Sequence, residues 1–362
     1  ACLHPIFMTA PGRLSKLSWK GPRGPLFLRQ SLAMVSVVQR RIPRWVGGGA
    51  VAGLALAAAS CAASHTLNGA GASFPSAIYQ RWFQDLGAQG VKVNYQSVGS
   101  GAGVRQFTAR SVNFGATDVP LTTKELAALP KGVVQIPMTA GAIVVAYNNP
   151  GCRLTLSQAQ LAQIFLGTIT NFRQLGCGAK PLKVVHRSDG SGTTANFTAH
   201  LAAISAAWRK GPGTGKSVAW PTGIGAKGNE GMASQLSQLD GAVGYVEAAY
   251  VKGVLQGAAL TNASGAVVSL SQATANQALA SIALGPALTG ENPNPAQGYP
   301  IVAYSWILLH QQGNGAKVES LKKTFSYTLS DAAQAMAPTL GFIPLPPAVA
   351  AKGRAALQTV RP

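Results

Sequence analysis

Three short segments rich in Gly, Ser and Thr precede amphipathic stretches: Gly69-Ala-Gly-Ala-Ser73-Phe74-Pro75, Ser97-Val-Gly-Ser100-Gly-Ala-Gly103 and Asp189-Gly-Ser191-Gly192-Thr193-Thr194. Glycine lets backbone approach a ligand closely, Ser and Thr offer hydroxyl donors and cap helices, and first-turn N–H groups lack partners within their helix. Each segment is suited to cradle an anion. One such loop alone is better explained as ordinary helix capping; three in one basic chain shift the balance. Arg187, two residues before Asp189 and four before Ser191, can aim a guanidinium fork at oxyanion oxygens, with Asp189 orienting it. Alone, such a pair is usually a surface ion pair. Asp118, in Asn113-Phe-Gly-Ala-Thr-Asp118-Val-Pro-Leu121, is more telling. A carboxylate repels a fully ionised oxyanion yet accepts a hydrogen bond from a protonated one. Hydrogen phosphate carries such a proton near neutral pH; sulfate does not. A turn-forming Asp before Val-Pro is the ordinary alternative.

The elements that must position these residues alternate short apolar runs with amphipathic stretches, which reads as α/β. Strands are expected at Val91–Tyr95, Val133–Ile136, Ala142–Tyr147 and Ile301–Leu309. Helices are expected at Pro75–Leu86, Leu156–Phe165, Thr194–Ala207, Glu230–Leu239 and Val318–Leu329. The Pro/Gly/Asn-rich stretch Gly285–Pro300 is a candidate crossover between lobes. No internal repeat is found.

A chain of 362 residues with 47% apolar content can bury a substantial core and suggests two domains. Lys and Arg outnumber Asp and Glu by 30 to 10; eight of the basic residues precede His65, leaving 22 against 10 after it. That surplus attracts anions without specifying which. The absence of a Lys/Arg-rich run after His65 argues against nucleic acid.

Arg40, Arg41 and Arg44 precede an uncharged, Gly- and Ala-rich stretch from Trp45 to Ala63. A basic region, a short apolar core and small residues at its end make a secretory signal peptide; a membrane anchor is the alternative, for which the run is short. Ala58-Ala59-Ser60-Cys61 resembles a bacterial lipobox, with Ala58 where Leu is usual, so Cys61 is a candidate for lipidation. Residues 1–33 resemble no signal, and Met34 is the expected start. Downstream, Cys152 and Cys177 are an isolated pair, read as a disulfide in an oxidising compartment, with two buried thiols as the alternative. No metal site is expected from them.

Rival motifs weigh less. Gly223-Ile-Gly-Ala-Lys-Gly228 fits a dinucleotide fingerprint, with Glu247 roughly twenty residues on, but it is read as a structural turn. Lys210-Gly-Pro-Gly-Thr-Gly-Lys216-Ser217 ends like a Walker A loop, yet Lys210 stands where its first Gly belongs. Ser73, Ser100, Ser188 and Ser191 lie outside any G-x-S-x-G elbow, and His65, His186, His200 and His310 show no pairing with a serine. No catalytic residue, cofactor or metal is assigned. Ten acidic residues make a two-metal phosphatase hard to assemble.

Leu67–Pro75, Val93-Asn-Tyr-Gln-Ser-Val-Gly-Ser100, Val112–Asp118, Arg187–Thr193 and Gly241-Ala-Val-Gly-Tyr-Val-Glu247 together resemble, in order, the periplasmic phosphate-binding proteins of phosphate-specific ABC importers. The resemblance runs from about Leu67 to the last strand. It implies a type II periplasmic-binding-protein fold, two α/β lobes joined by a hinge with the ligand in the cleft between them. Crossings near Gly141 and Pro300 would make residues 65–141 with 301–362 one lobe and 142–300 the other, after a signal region at 1–64. The ligand contacts it implies are Ser73 with the Phe74 backbone, Ser100, Asp118, Arg187, and Ser191-Gly192-Thr193, with Asp189 behind Arg187. Ser73 stands where some members have Thr. Asp118 matches the family's proton-accepting carboxylate. The implied function is capture of inorganic phosphate and delivery to membrane permease subunits. The protein is expected to be monomeric and periplasmic, without catalysis; a secreted phosphate-ester hydrolase or a receptor for another tetrahedral oxyanion is the alternative.

Overall fold

The computed structural model describes residues 66–362. The expected signal region, the Met34 start and Cys61 lie outside them. Among the described residues twelve strands occur in the order β1 (Leu67–Gly71), β2 (Val93–Ser97), β3 (Phe114–Thr117), β4 (Val133–Tyr147), β5 (Thr155–Leu156), β6 (Lys183–Arg187), β7 (Ile224–Ala226), β8 (Ala242–Glu247), β9 (Gln256–Gly257), β10 (Ala259–Thr261), β11 (Val267–Val268) and β12 (Val302–His310). Nine make one sheet, ordered β2-β1-β3-β12-β4-β8-β6-β7 with β9 beside β4; β11-β10-β5 form a small separate sheet.

The long sheet has two halves that share β4. Residues Val133–Ala142 of β4 pair antiparallel with β12, whereas Ile143–Tyr147 pair antiparallel with β8. The partner changes between adjacent residues, and at that point the Ile143 N–H donates to the Ile301 carbonyl at 2.8 Å. On one side β1 pairs parallel with β2 and β3; on the other β6 pairs parallel with β7 and β8. All the described residues fall within one compact unit.

Sequence periodicity reads residues 133–136 and 142–147 as separate strands, but the structure joins them into fifteen continuous residues. Pro137 lies between the two runs and cannot donate to a ladder. The strand tolerates it because the β4–β12 register shifts between Ser305 and Trp306, a bulge that sets Trp306 opposite Pro137 and Ser305 opposite Thr139.

Helix Ser76–Ala88 buries Ile78, Tyr79, Trp82, Phe83 and Leu86, the three-to-four spacing of a core-facing stripe. Its Trp82 indole donates to the Ala333 carbonyl at 3.0 Å, so this large apolar group is buried without an orphaned N–H. In the other half Phe197 stacks on Tyr245 with centroids 4.3 Å apart. The helix expected over Thr194–Ala207 is instead two, Gly192–Ile204 and Ala206–Lys210. Ser205 divides them: its hydroxyl caps the second by accepting from the Trp208 N–H at 3.2 Å. Cys152 and Cys177 form a disulfide with Cα atoms 5.6 Å apart.

Candidate functional site

Both halves of the sheet deliver polar residues from the C-terminal ends of parallel strands, where open α/β sheets place ligands. In the first half, Ser73 and Phe74 lie in the turn after β1, Ser100 opens helix Ser100–Thr108 after β2, and Asp118 directly follows β3. In the second, Arg187 ends β6, Asp189 and Ser191 form the turn beyond it, and Gly192 and Thr193 begin helix Gly192–Ile204. The first two Gly-rich segments are not loops throughout. Gly69–Gly71 belongs to β1, and Ser100–Gly103 is already the first turn of its helix.

The side chains of Ser73, Ser100, Asp118, Arg187, Ser191 and Thr193 are all buried. Hydrogen bonds around Ser100 and Asp118 tie the two halves together. The Gly192 N–H donates to Ser100 Oγ at 3.1 Å, and Ser100 Oγ lies 3.4 Å from Asp118 Oδ2. The Gly101 N–H donates to the Gly190 carbonyl at 2.7 Å. Asn196 Nδ2 donates to the Asp118 carbonyl at 2.7 Å. Only glycine fits at 192, since a Cβ there would come 2.5 Å from Ser100 Oγ and 2.7 Å from Asp118 Oδ2. Phe74 is also buried, but its ring packs edge-on to Phe342 at 6.4 Å between centroids, in the core.

Arg187 is held in a fork. Nε donates to Asp189 Oδ1 at 2.7 Å and Nη2 to Asp189 Oδ2 at 2.5 Å, while the Arg187 backbone N–H donates to the Tyr245 hydroxyl at 3.1 Å. Nη1 is buried with no partner among the described residues. A buried guanidinium N–H left unmatched is costly, so this geometry favours an acceptor arriving from outside the chain. Burial pushes the Asp189 carboxyl up, but the bonds and charge of Arg187, with the Gly228 N–H, outweigh that and hold it below the ordinary carboxylate value.

Asp118 is opposite in character. Burial pushes its carboxyl up to about 7, against the Ser305 hydroxyl, the Arg187 charge and Ser100, while Asp189 adds to the rise. Ser305 donates to Asp118 Oδ1 at 2.8 Å. Trp306 faces Thr117 in the antiparallel β3–β12 register, so the next residues along, Asp118 and Ser305, meet. The site therefore offers one cation with a free donor, several hydroxyl and amide donors, and, in Asp118, a carboxylate able to accept a proton. That set suits a small oxyanion carrying one hydrogen.

Ser305, Tyr245 and Asn229 were not among the residues singled out from sequence as site residues. Ser305 had a signal, the only serine in the run Ile301–Leu309. Asn229 lay hidden behind the dinucleotide-like motif. That turn runs through β7 into helix Gly228–Gln238, and its Gly228 N–H donates to Asp189 Oδ1 at 3.0 Å. The Walker-like segment also borders the cleft: the Lys216 carbonyl accepts from the Ser191 N–H at 2.8 Å, and its Nζ pairs with Glu125 Oε1 at 2.6 Å. His186 stacks on Trp220 at 4.9 Å, His310 on Phe107 at 4.0 Å, and His200 Nδ1 lies 2.7 Å from the Pro293 carbonyl.

The pattern of the PBP superfamily domain matches residues 56–332. The phosphate-binding protein PstS of Pasteurella multocida is 39% identical over 316 residues, covering 82% of this chain and 91% of the relative. That of Haemophilus influenzae is 38% identical over 303 residues, covering 79% and 90%. Among solved structures, the phosphate-binding protein from Stenotrophomonas maltophilia superposes with a TM-score of 0.66 at 23% identity, covering 80% of this chain and 93% of that one. A high-affinity periplasmic phosphate-binding protein, PfluDING, bound with phosphate, superposes with a TM-score of 0.68 at 23% identity over the same shares. The architecture is the type II periplasmic-binding-protein fold, two α/β lobes about a hinge. With its sequence matched over four-fifths of its length and its strands in that arrangement, the chain belongs to the PBP superfamily and, within it, to the PstS phosphate-binding proteins.

Proposed function

We propose that this protein captures hydrogen phosphate in the cleft between the two halves of its sheet and hands it to the membrane permease of an ABC importer, doing no chemistry on it. One observation carries the reading. Arg187 Nη1 is buried, with no partner among the described residues, on the same cleft as Asp118, a buried carboxylate whose proton affinity is raised to near neutrality. The first group calls for an anion, and the second for an anion that brings a proton. Sulfate, with no proton to give near neutral pH, would face Asp118 with acceptors only.

Ser73, the Phe74 backbone, Ser100 and Asp118 are assigned to one wall, and Arg187, Ser191, Gly192 and Thr193 to the other, with Asp189 orienting Arg187. Residues 65–141 with 301–362 and residues 142–300 act as the two lobes, closing about crossings near Gly141 and Pro300. The change of β4 partner after Ala142 supports that division. Ligand that bridges both walls favours the closed state, because binding shifts a population toward the conformer it contacts best.

The protein works outside the cytoplasm as a monomer, exported by its signal segment, with Cys61 the proposed site of a lipid anchor. The disulfide fits an oxidising compartment.

Calorimetry with phosphate and then sulfate near neutral pH tests the reading, alongside an assay for hydrolysis of a generic phosphate ester. One-to-one phosphate binding without sulfate binding or turnover is the expected result. Sulfate binding overturns the ligand, and turnover overturns the class.

A further inference from the structure

We propose that Asn229 is a positioning residue that points the hydroxyl protons of Ser73 and Thr193 into the cleft, so that the bound anion must present bare oxygens there and carry its own proton toward Asp118. This rests on the phosphate reading above and adds to it the residue that fixes the ligand's orientation.

Four contacts carry the inference. Asn229 is wholly buried at the start of helix Gly228–Gln238. Its backbone N–H and its side-chain Nδ2 both donate to Ser73 Oγ, each at 3.0 Å. Nδ2 also donates to Thr193 Oγ1 at 3.2 Å. Its Oδ1 accepts from the Glu247 backbone N–H at 2.9 Å.

The last bond decides the direction of the others. A backbone N–H can only donate, so the amide oxygen must face Glu247 and the amide nitrogen must face the two hydroxyls. A serine hydroxyl has two acceptor lone pairs and one proton. Both lone pairs of Ser73 Oγ are taken by Asn229, which leaves the proton to donate away from that residue. Thr193 Oγ1 likewise receives a donor, which turns its proton toward another acceptor. Ser73 follows β1 and Thr193 follows β6, so one amide fixes hydroxyls on both walls. A ligand oxygen that carries hydrogen would oppose these two donors. Asp118 then offers that hydrogen a carboxylate acceptor. The orientation of the anion, and hence which of its oxygens carries the proton, follows from a residue that need not touch it.

The test is a double-mutant cycle read by phosphate calorimetry on the exported form of the protein: wild type, Asn229→Ala, Ser73→Ala and the double variant. Asn229→Ala is expected to weaken phosphate binding about tenfold, the scale of a misdirected hydrogen bond. In the Ser73→Ala background the same change is expected to cost no more than about threefold, the remainder acting through Thr193. Equal losses in the two backgrounds would mean that Asn229 acts independently of the hydroxyl, as a merely structural residue would, and would overturn the proposal. Asn229→Ala also strips the Glu247 N–H of its acceptor, so Asn229→Asp is run in parallel. It keeps Oδ1 for that N–H while turning the Nδ2 donor into an acceptor that draws the hydroxyl protons out of the cleft. Phosphate affinity unchanged in Asn229→Asp would likewise overturn the proposal.

Wild-type titrations with phosphate, sulfate and arsenate separate the two readings. Phosphate binding with no coupling between Asn229 and Ser73 defeats this proposal alone. Binding of another member of the panel but not phosphate defeats the phosphate reading, and the cycle is then read with the anion that binds. Binding of none defeats both.

Discussion

Arg187 and Asp189 meet edge to edge, two guanidinium nitrogens on two carboxylate oxygens, and that pairing turns the third nitrogen, Nη1, away from Asp189 with no partner among the described residues. Asp189 thus spends its charge on orientation. The Gly228 N–H on Asp189 Oδ1 ties the same carboxylate to the next helix, so the fork cannot easily swing.

Replacing Arg187 by Ala removes the charge-assisted donor and is expected to weaken phosphate binding at least tenfold. Arg187→Lys keeps the charge but not the planar fork, and should recover only part of the loss. Calorimetry of the two variants checks the order. Phosphate affinity equal to wild type in Arg187→Ala would remove Arg187 from the site, and in Arg187→Lys it would show that the charge alone suffices without the fork.

Asp118→Asn swaps a proton acceptor for a group that can donate. Phosphate should bind less tightly and sulfate relatively better, so the preference between them is expected to shrink by about tenfold or more. Competition between the two anions, measured at one pH for wild type and variant, reads the change directly. An unaltered preference would mean that selectivity arises elsewhere.

Asp118 should also make the empty protein less stable as pH rises. Its folded-state value is about 7 against an ordinary 3.8, so between these the native state binds the extra proton. Its contribution is full below about 3.8 and is lost as pH climbs through about 7. The size is on the order of a few kcal/mol. Glu247, pushed well above its usual value by burial, acts with the same sign, so the test is a difference. Urea unfolding at pH 5 and pH 8 should show a smaller fall for Asp118→Asn than for wild type. Parallel falls would place the proton on another group.

Reducing the Cys152–Cys177 disulfide frees a loop of 25 residues' separation and is expected to cost about 3.5 kcal/mol of stability from the regained chain entropy. Neither cysteine belongs to the hydrogen bonds around Asp118 and Arg187, so phosphate affinity of the reduced, still folded protein should hold. Denaturation with and without reductant, paired with calorimetry, tests both halves.

What the sequence determined by itself was the local chemistry. Arg187, Asp189, Ser191, Gly192 and Thr193 lie within seven residues, and a strand end running into a capped helix positions them together, so their joint purpose is legible from spacing. The α/β alternation is legible for the same reason, since periodicity is a property of neighbours. The continuous strand through Pro137 was not, because the bulge that accommodates it, with Met138 of β4 left out of the register, exists only in the pairing with β12. Ser305 reaches Asp118 across 187 residues of chain, and Asn229 reaches Ser73 across 156. Those pairings depend on antiparallel register and on two halves of a sheet meeting over a cleft. No local pattern encodes such distances, so only the tertiary structure could decide which hydroxyl faces the carboxylate and which amide directs the hydroxyls.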